Sequence, residues 1–123
     1  GYLVTTGEMG INLSKQDKRG ADIAIFKRDE IELLDKFADI APEIIIEIDV
    51  RAEIEEGTEL DYITEKTSDY HNFGVKRIIW IFTKAKKLLV ANAGQPWVMD
   101  DWSADVEVMQ GIKFNVAEIV KNF

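Results

Sequence analysis

The sequence predicts a mixed α/β (α+β) domain in which strands, then a helix, then further strands build around a mixed sheet flanked by helices. Three observations carry that prediction. Glu43 to Val50 carries isoleucine on both faces of one strand, the pattern of a strand covered on both sides. Glu59, Ile63, Lys66, Tyr70 and Phe73 follow the spacing of a single helical face, and Gly74 closes it. Ile78 to Phe82 is a second apolar strand, against which Lys87 to Ala91 pairs back as a hairpin.

Composition bounds the class. The chain has 123 residues, 46% of them hydrophobic and 31% charged, enough for one domain, residues 1–123, with a genuine core. It has no cysteine, so disulfide scaffolds and thiolate zinc sites are excluded and a cytoplasmic location is expected. No apolar run approaches the roughly 18 residues of a membrane span. The net charge of −8 and pI near 4.6 argue against indiscriminate nucleic-acid binding, while leaving room for a local basic patch or a polyanion held through metal ions. Gly1 rather than methionine opens the chain, so an upstream helix is an expected absentee.

Taken in order, Tyr2 to Thr6 is a short strand ended by Gly7, and Gly10 to Leu13 is a second one. Ser14 to Gly20 is polar, charged and aperiodic, a hairpin loop. Ala21 to Phe26 alternates, with Ala21, Ile23 and Ile25 on one face and Asp22, Ala24 and Phe26 on the other. Glu30 to Ala38 is a short amphipathic segment that ends before Pro42. In the Glu43–Val50 strand, Ile44, Ile46, Ile48 and Val50 share a face, opposite Glu43, Ile45, Glu47 and Asp49. Arg51 to Gly57 is a charged loop, and Thr58 caps the helix with Asp61 three residues on. Lys84 to Lys87 forms a basic turn, Trp97 to Trp102 and Asp105 to Val108 are short strands, and Asn115 caps a last helix through Lys121.

The residues that could carry chemistry lie on these elements. Glu47 and Asp49 point to one side of their strand, about 6.5–7 Å apart along it. If the Asp22 strand pairs alongside, three carboxylates converge, an oxygen donor set that suits magnesium or manganese. The alternative is an edge strand whose outer face is simply wet. Lys66 lies in the middle of the buried helical stripe, where it either snorkels to an edge or pairs with buried acids. An acid on one strand, an acid on the next and a facing lysine are the parts of metal-assisted phosphodiester hydrolysis. The acids hold the metal, which lowers the pKa of a bound water. The lysine orients or deprotonates that water, or offsets charge on the phosphate.

Elsewhere the signals are plainer. His71, the only histidine, reads as a surface or capping residue near the helix end. Trp80 reads as core. Trp97 and Trp102 could stack on bases or pack in the core or a dimer interface. Lys84, Lys86 and Lys87, with Lys76 and Arg77, either contact phosphates or line a solvated turn.

Order and spacing also carry a family resemblance. Ala21-Asp22-Ile23-Ala24-Ile25 resembles the first acidic strand of the PD-(D/E)xK nucleases, and Pro42 to Ile48 resembles their second. More narrowly, Lys66-xxx-Tyr70-xxx-Gly74-Val75-xx-Ile78-Ile79-Trp80 resembles the Uma2 (DUF820) branch, in which the motif lysine sits on the following helix. The resemblance runs from the early strands to the closing helix at Val116 to Val120. It implies a restriction endonuclease-like fold, Asp22 and Glu47 as metal-binding acids, Lys66 as catalytic lysine, and the Ile48 carbonyl as a further metal ligand. It further implies Mg2+ or Mn2+ as cofactor and DNA as substrate; because cutting both strands needs two sites and symmetric dimers are the commonest oligomers, a homodimer is expected. Ala21 replaces the usual proline, and Asp49 stands where the standard motif has its lysine. The competing expectations are a non-catalytic relative that binds nucleic acid or a protein, and a structural interaction domain with wet acids and a snorkelling lysine.

Overall fold

A computed structural model of the chain describes residues 1–12, 18–28, 40–50 and 57–121. Its centre is a six-stranded mixed sheet in the order β1 to β6: β1 (Tyr2–Asn12), β2 (Lys18–Lys27), β3 (Ile44–Asp49), β4 (Arg77–Phe82), β5 (Lys87–Asn92) and β6 (Val98–Asp101). Every neighbouring pair is antiparallel except β3 and β4, which run parallel. A parallel pair needs a crossover, and helix α1 (Gly57–Phe73) supplies it. A second sheet of two strands, β7 (Val106–Met109) and β8 (Ile112–Phe114), precedes helix α2 (Val116–Lys121).

Alternation along the central strands divides the core in two. Ala24, Phe26, Ile45, Ile78, Trp80 and Phe82 face α1 and meet Ile63 and Tyr70 there. Ile25, Ile44, Ile46, Ile79, Ile81 and Leu88 face the other way and pack on Val106, Val108 and Val116. Burying each such large side chain contributes about 1.5–3 kcal/mol. The strand read as covered on both faces is so covered, but the second cover is a hairpin plus the short α2 rather than helices alone. That cover stops short of the end of β3, where Ile48 is 44% and Val50 63% exposed.

Several boundaries differ from the sequence reading. Gly7 does not end a strand. β1 continues to Asn12, and its register against β2 shifts between Thr6 and Met9, so the glycine lies in an irregularity of one long strand. Of the loop expected over Ser14 to Gly20, residues 14–17 lie outside the described residues, and Lys18 to Gly20 belong to β2. The amphipathic segment expected at Glu30 to Ala38 lies outside the described residues, as does the loop expected from Arg51, up to residue 56. α1 starts at Gly57, so Thr58 is within its first turn rather than before it. β8 was not legible, because three residues offer too short a pattern. Its pairing depends on the turn at Gln110 and Gly111, where Gly111 has φ +82°. Asn115 does cap α2, its Oδ1 accepting the Glu118 N–H at 3.2 Å.

The end of α1 shows why Gly74 is glycine. Val75 N–H reaches back to the Tyr70 carbonyl at 3.0 Å and Gly74 N–H to that of His71 at 3.0 Å, the paired bonds of a Schellman closure. Gly74 has φ +119°, and a Cβ there would stand 3.1 Å from the Ala41 Cβ. Gly74→Ala is therefore expected to lower stability by about 1–2 kcal/mol, read as a lower urea midpoint with unchanged slope. A midpoint within error of the parent would show that the backbone relaxes there at no cost.

Candidate functional site

The site assembles on the α1 face of the sheet, at the end of the strands where β3 finishes. Glu47 follows Ile45 on that face and is 5% exposed. Lys66, one turn beyond Ile63 on α1, is 8% exposed and places its Nζ 3.2 Å from Glu47 Oε2. Tyr70, one further turn along, donates its hydroxyl to Glu47 Oε1 at 3.0 Å. Both glutamate oxygens are thus bonded from a single helix, by residues spaced i and i+4 so that they share its face. Of the two fates open to Lys66, snorkelling and pairing, the geometry is pairing.

Three aromatic rings surround the ammonium. Its Nζ lies 5.7 Å from the Tyr70 and Trp80 ring centroids and 5.9 Å from that of Tyr62. Such contacts contribute about 0.5–2 kcal/mol each, more where the cation is desolvated. Trp80, fully buried and stacked 5.8 Å from Phe82, donates its indole N–H to Thr67 Oγ1 at 2.8 Å. Thr67 in turn donates to the Ile63 carbonyl at 2.7 Å. The Trp80–Thr67 bond ties α1 to β4 at the residue next to Lys66. Thr67 was missed in the sequence, although Ile63, Lys66, Thr67 and Tyr70 form a continuous i, i+3, i+4, i+7 stripe. A threonine inside a helix can bond its i−4 carbonyl and present its oxygen inward, and that was the available signal.

Asp22 reaches the site from β2. Pairing between β2 and β3 runs from Ile25 with Ile44 to Ile23 with Ile46 and there stops. At this fork the Ile48 N–H is taken by Asp22 Oδ2, at 2.7 Å, and not by a β2 carbonyl. The N–H and C=O of one strand residue point to the same edge, so the Ile48 carbonyl is directed into the same fork. Asp22 lies on the face of Ala24 and Phe26, the face that α1 covers, and its charge is felt at Glu47.

The expected convergence of three carboxylates does not occur. Among the described residues no group of three or more histidines, aspartates or glutamates gathers to hold a metal ion. Asp49 is a full pleat beyond Glu47 at the last position of β3, where its carbonyl accepts Thr83 N–H at 3.1 Å. The donor set at the fork is therefore the carboxylates of Asp22 and Glu47 with the Ile48 carbonyl. All three are hard oxygen donors, and the two carboxylates repel each other, a repulsion that a divalent cation between them would relieve. The residues fit magnesium or manganese in kind.

The remaining candidates disperse. His71 is half-buried rather than on the outer surface, with Nε2 3.1 Å from the Ala91 carbonyl and its ring edge-on to Trp97. Trp97 and Trp102 pack against the two core clusters, and Lys86 Nζ sits 5.9 Å from the Trp102 ring centroid. The basic residues split between the two ends of the sheet. Lys76 pairs with Glu43 at 3.4 Å and Arg77 Nε bonds Asn92 at 2.7 Å, both at the start of β4. The Lys84–Lys87 turn leaves the other end of β4, next to Asp49. No described helix is long and apolar enough to cross a membrane.

The architecture is a mixed α+β sheet crossed by one helix that carries a buried lysine against a strand glutamate. Among solved structures it is matched by a "putative nuclease belonging to DUF820" from Anabaena variabilis, with a TM-score of 0.74 over 98% of this chain and 68% of that one. The two sequences are 17% identical, so the likeness is one of fold. No protein-family model matches the chain. No curated protein matches it either.

Burial pushes the Glu47 carboxyl above its ordinary value of 4.5, against the opposing pull of the Lys66 charge and of the hydrogen bonds from Lys66 and Tyr70. A carboxyl with a higher pKa folded than unfolded stabilises the fold in its protonated form. Its contribution is full below about pH 4.5 and is lost as pH rises through the raised folded value. Urea unfolding of the metal-free protein from pH 4.5 towards neutrality is expected to show this decline. Glu47→Gln, which cannot ionise, should lack that component; equal pH slopes in the two proteins would assign the decline to other groups.

Proposed function

We propose that this chain is a metal-dependent endonuclease that hydrolyses phosphodiester bonds in DNA, with Asp22, Glu47 and Lys66 as its catalytic residues. The observation that carries the reading is the burial of Glu47 against Lys66, on the same face as Asp22 and beside the Ile48 carbonyl. A plain core would not retain an ion pair at that depth without cause, since replacing such pairs by apolar side chains is often neutral or stabilising. The Anabaena protein of the same fold, described as a "putative nuclease", supports the reaction class.

In this reading Asp22, Glu47 and the Ile48 carbonyl hold Mg2+ or Mn2+. When bound, that ion supplies a water of lowered pKa and a Lewis acid for the phosphate. Lys66 keeps the Glu47 carboxylate compensated in a dry setting and adds positive charge where the phosphate gains negative charge. Asp22, the exposed member, faces the approach to the fork while Glu47 anchors it from within. The Lys84–Lys87 turn, at the same end of the sheet, offers cations to the flanking backbone of an otherwise acidic protein. Cutting both strands of a duplex takes two such sites, which a symmetric homodimer provides.

Both oxygens of Glu47 are already bonded, which favours one rival: a relative that binds DNA or a protein without cleaving it. Nicking of supercoiled plasmid separates the two. The enzyme reading expects nicking that requires magnesium or manganese, is abolished by Glu47→Ala and falls roughly 10²–10⁴-fold in Lys66→Ala. DNA affinity without cleavage, unaffected by either substitution, would establish the binding module instead.

A further inference from the structure

The proposed reaction uses the Lys66–Glu47 pair but assigns nothing to Tyr70. Yet Tyr70 touches both members of that pair with different parts of one side chain. Its hydroxyl donates to Glu47 Oε1 at 3.0 Å, and its ring centroid lies 5.7 Å from Lys66 Nζ. It is fully buried, so its position is set by the core around it.

The terminal torsion of a glutamate is broad and roughly two-fold, unlike the staggered torsions before it. A single bond to Lys66 at Oε2 would leave the carboxylate free to swing about that contact. A second bond, at the other oxygen and from a rigid aromatic side chain, removes the freedom. Each carboxylate oxygen has two lone pairs, so one donor at each still leaves both oxygens able to accept a further partner. We propose that Tyr70 is a positioning residue: by holding Glu47 Oε1 it fixes the carboxylate in one orientation and so sets the affinity of the Asp22–Glu47 fork for a divalent cation. The proposal rests on the cation site proposed above and adds to it a residue that touches neither metal nor substrate. Hydrogen-bonded partners of metal-ligating carboxylates are worth roughly 10–100-fold in affinity, which is the effect expected of this bond.

Manganese is titrated calorimetrically into the full chain, as wild type, Tyr70→Phe and Glu47→Gln. Phenylalanine keeps the ring beside Lys66 and removes only the hydroxyl. The expected result is manganese binding about 10- to 100-fold weaker in Tyr70→Phe, with Glu47→Gln impaired at least as much. Affinity unchanged or tighter in Tyr70→Phe, with Glu47→Gln impaired, overturns the role of Tyr70 and leaves the cation site standing. Affinity unchanged in both variants, or no binding by the wild type, removes the site and this proposal with it. Should Tyr70→Phe not fold, wild-type protein labelled with 13C at the tyrosine ζ carbons gives the answer, since only Tyr2, Tyr62 and Tyr70 contribute signals. The Tyr70 resonance is expected to move with magnesium along the binding isotherm, and its silence through saturation overturns the proposal.

Discussion

Glu47 lies under α1 with 5% of its surface exposed, and a carboxylate at that depth persists only if donors come to it. Much of the structure can be understood as the supply of those donors. The parallel pairing of β3 and β4 demands a crossover, and the crossover brings a helix across the strand that carries the glutamate. Along that helix, Lys66 and Tyr70 fall one turn apart and reach the two oxygens separately. The Trp80–Thr67 bond then holds the helix against β4 at the same level, so the register of helix on sheet cannot slip without breaking a buried hydrogen bond and an ion pair together. Leaving one partner of such a pair unpaired typically costs about 3–5 kcal/mol. The same pair is still poor evidence for net stability, since burial raises the Glu47 pKa in spite of it.

The second determinant is where the sheet opens. β2 and β3 part after Ile23, and the parting leaves a main-chain N–H on β3 that the Asp22 side chain takes. A fully paired sheet would have consumed the edge of Ile48 in a ladder. The fork instead leaves Ile48 off the β2 ladder with Asp22 on its N–H, one residue from the buried Glu47, at the C-terminal end of β3. Asp49 is excluded by one pleat, although by sequence alone it is as acidic and as well facing as Glu47.

The likeness to the Anabaena protein, a TM-score of 0.74 at 17% identity, fits this account. What a shared fold must preserve is a pattern of burial and volume, which many hydrophobic combinations satisfy. Fold likeness of this kind constrains the chemistry only through the particular residues that it brings together.

Much was legible in the sequence because periodicity is a local property. The two-sided apolar strands β3 and β4, the helical stripe through Lys66, the glycine at its end and the Asn115 cap each announce themselves within a few residues. The placement of Asp22 and Glu47 on one face of their strands followed from alternation alone. What the sequence could not decide depended on distances between segments far apart along the chain. Whether Lys66 pairs or snorkels was undetermined until β3 lay under α1. Whether Asp49 joins the acids depended on where β2 leaves β3. The continuity of β1 past Gly7 depended on a partner strand that absorbs a shift in register. Local chemistry thus determined which residues face the interior, and only the tertiary structure decided which of them meet, because burial is read from spacing whereas contact needs the whole sheet in place.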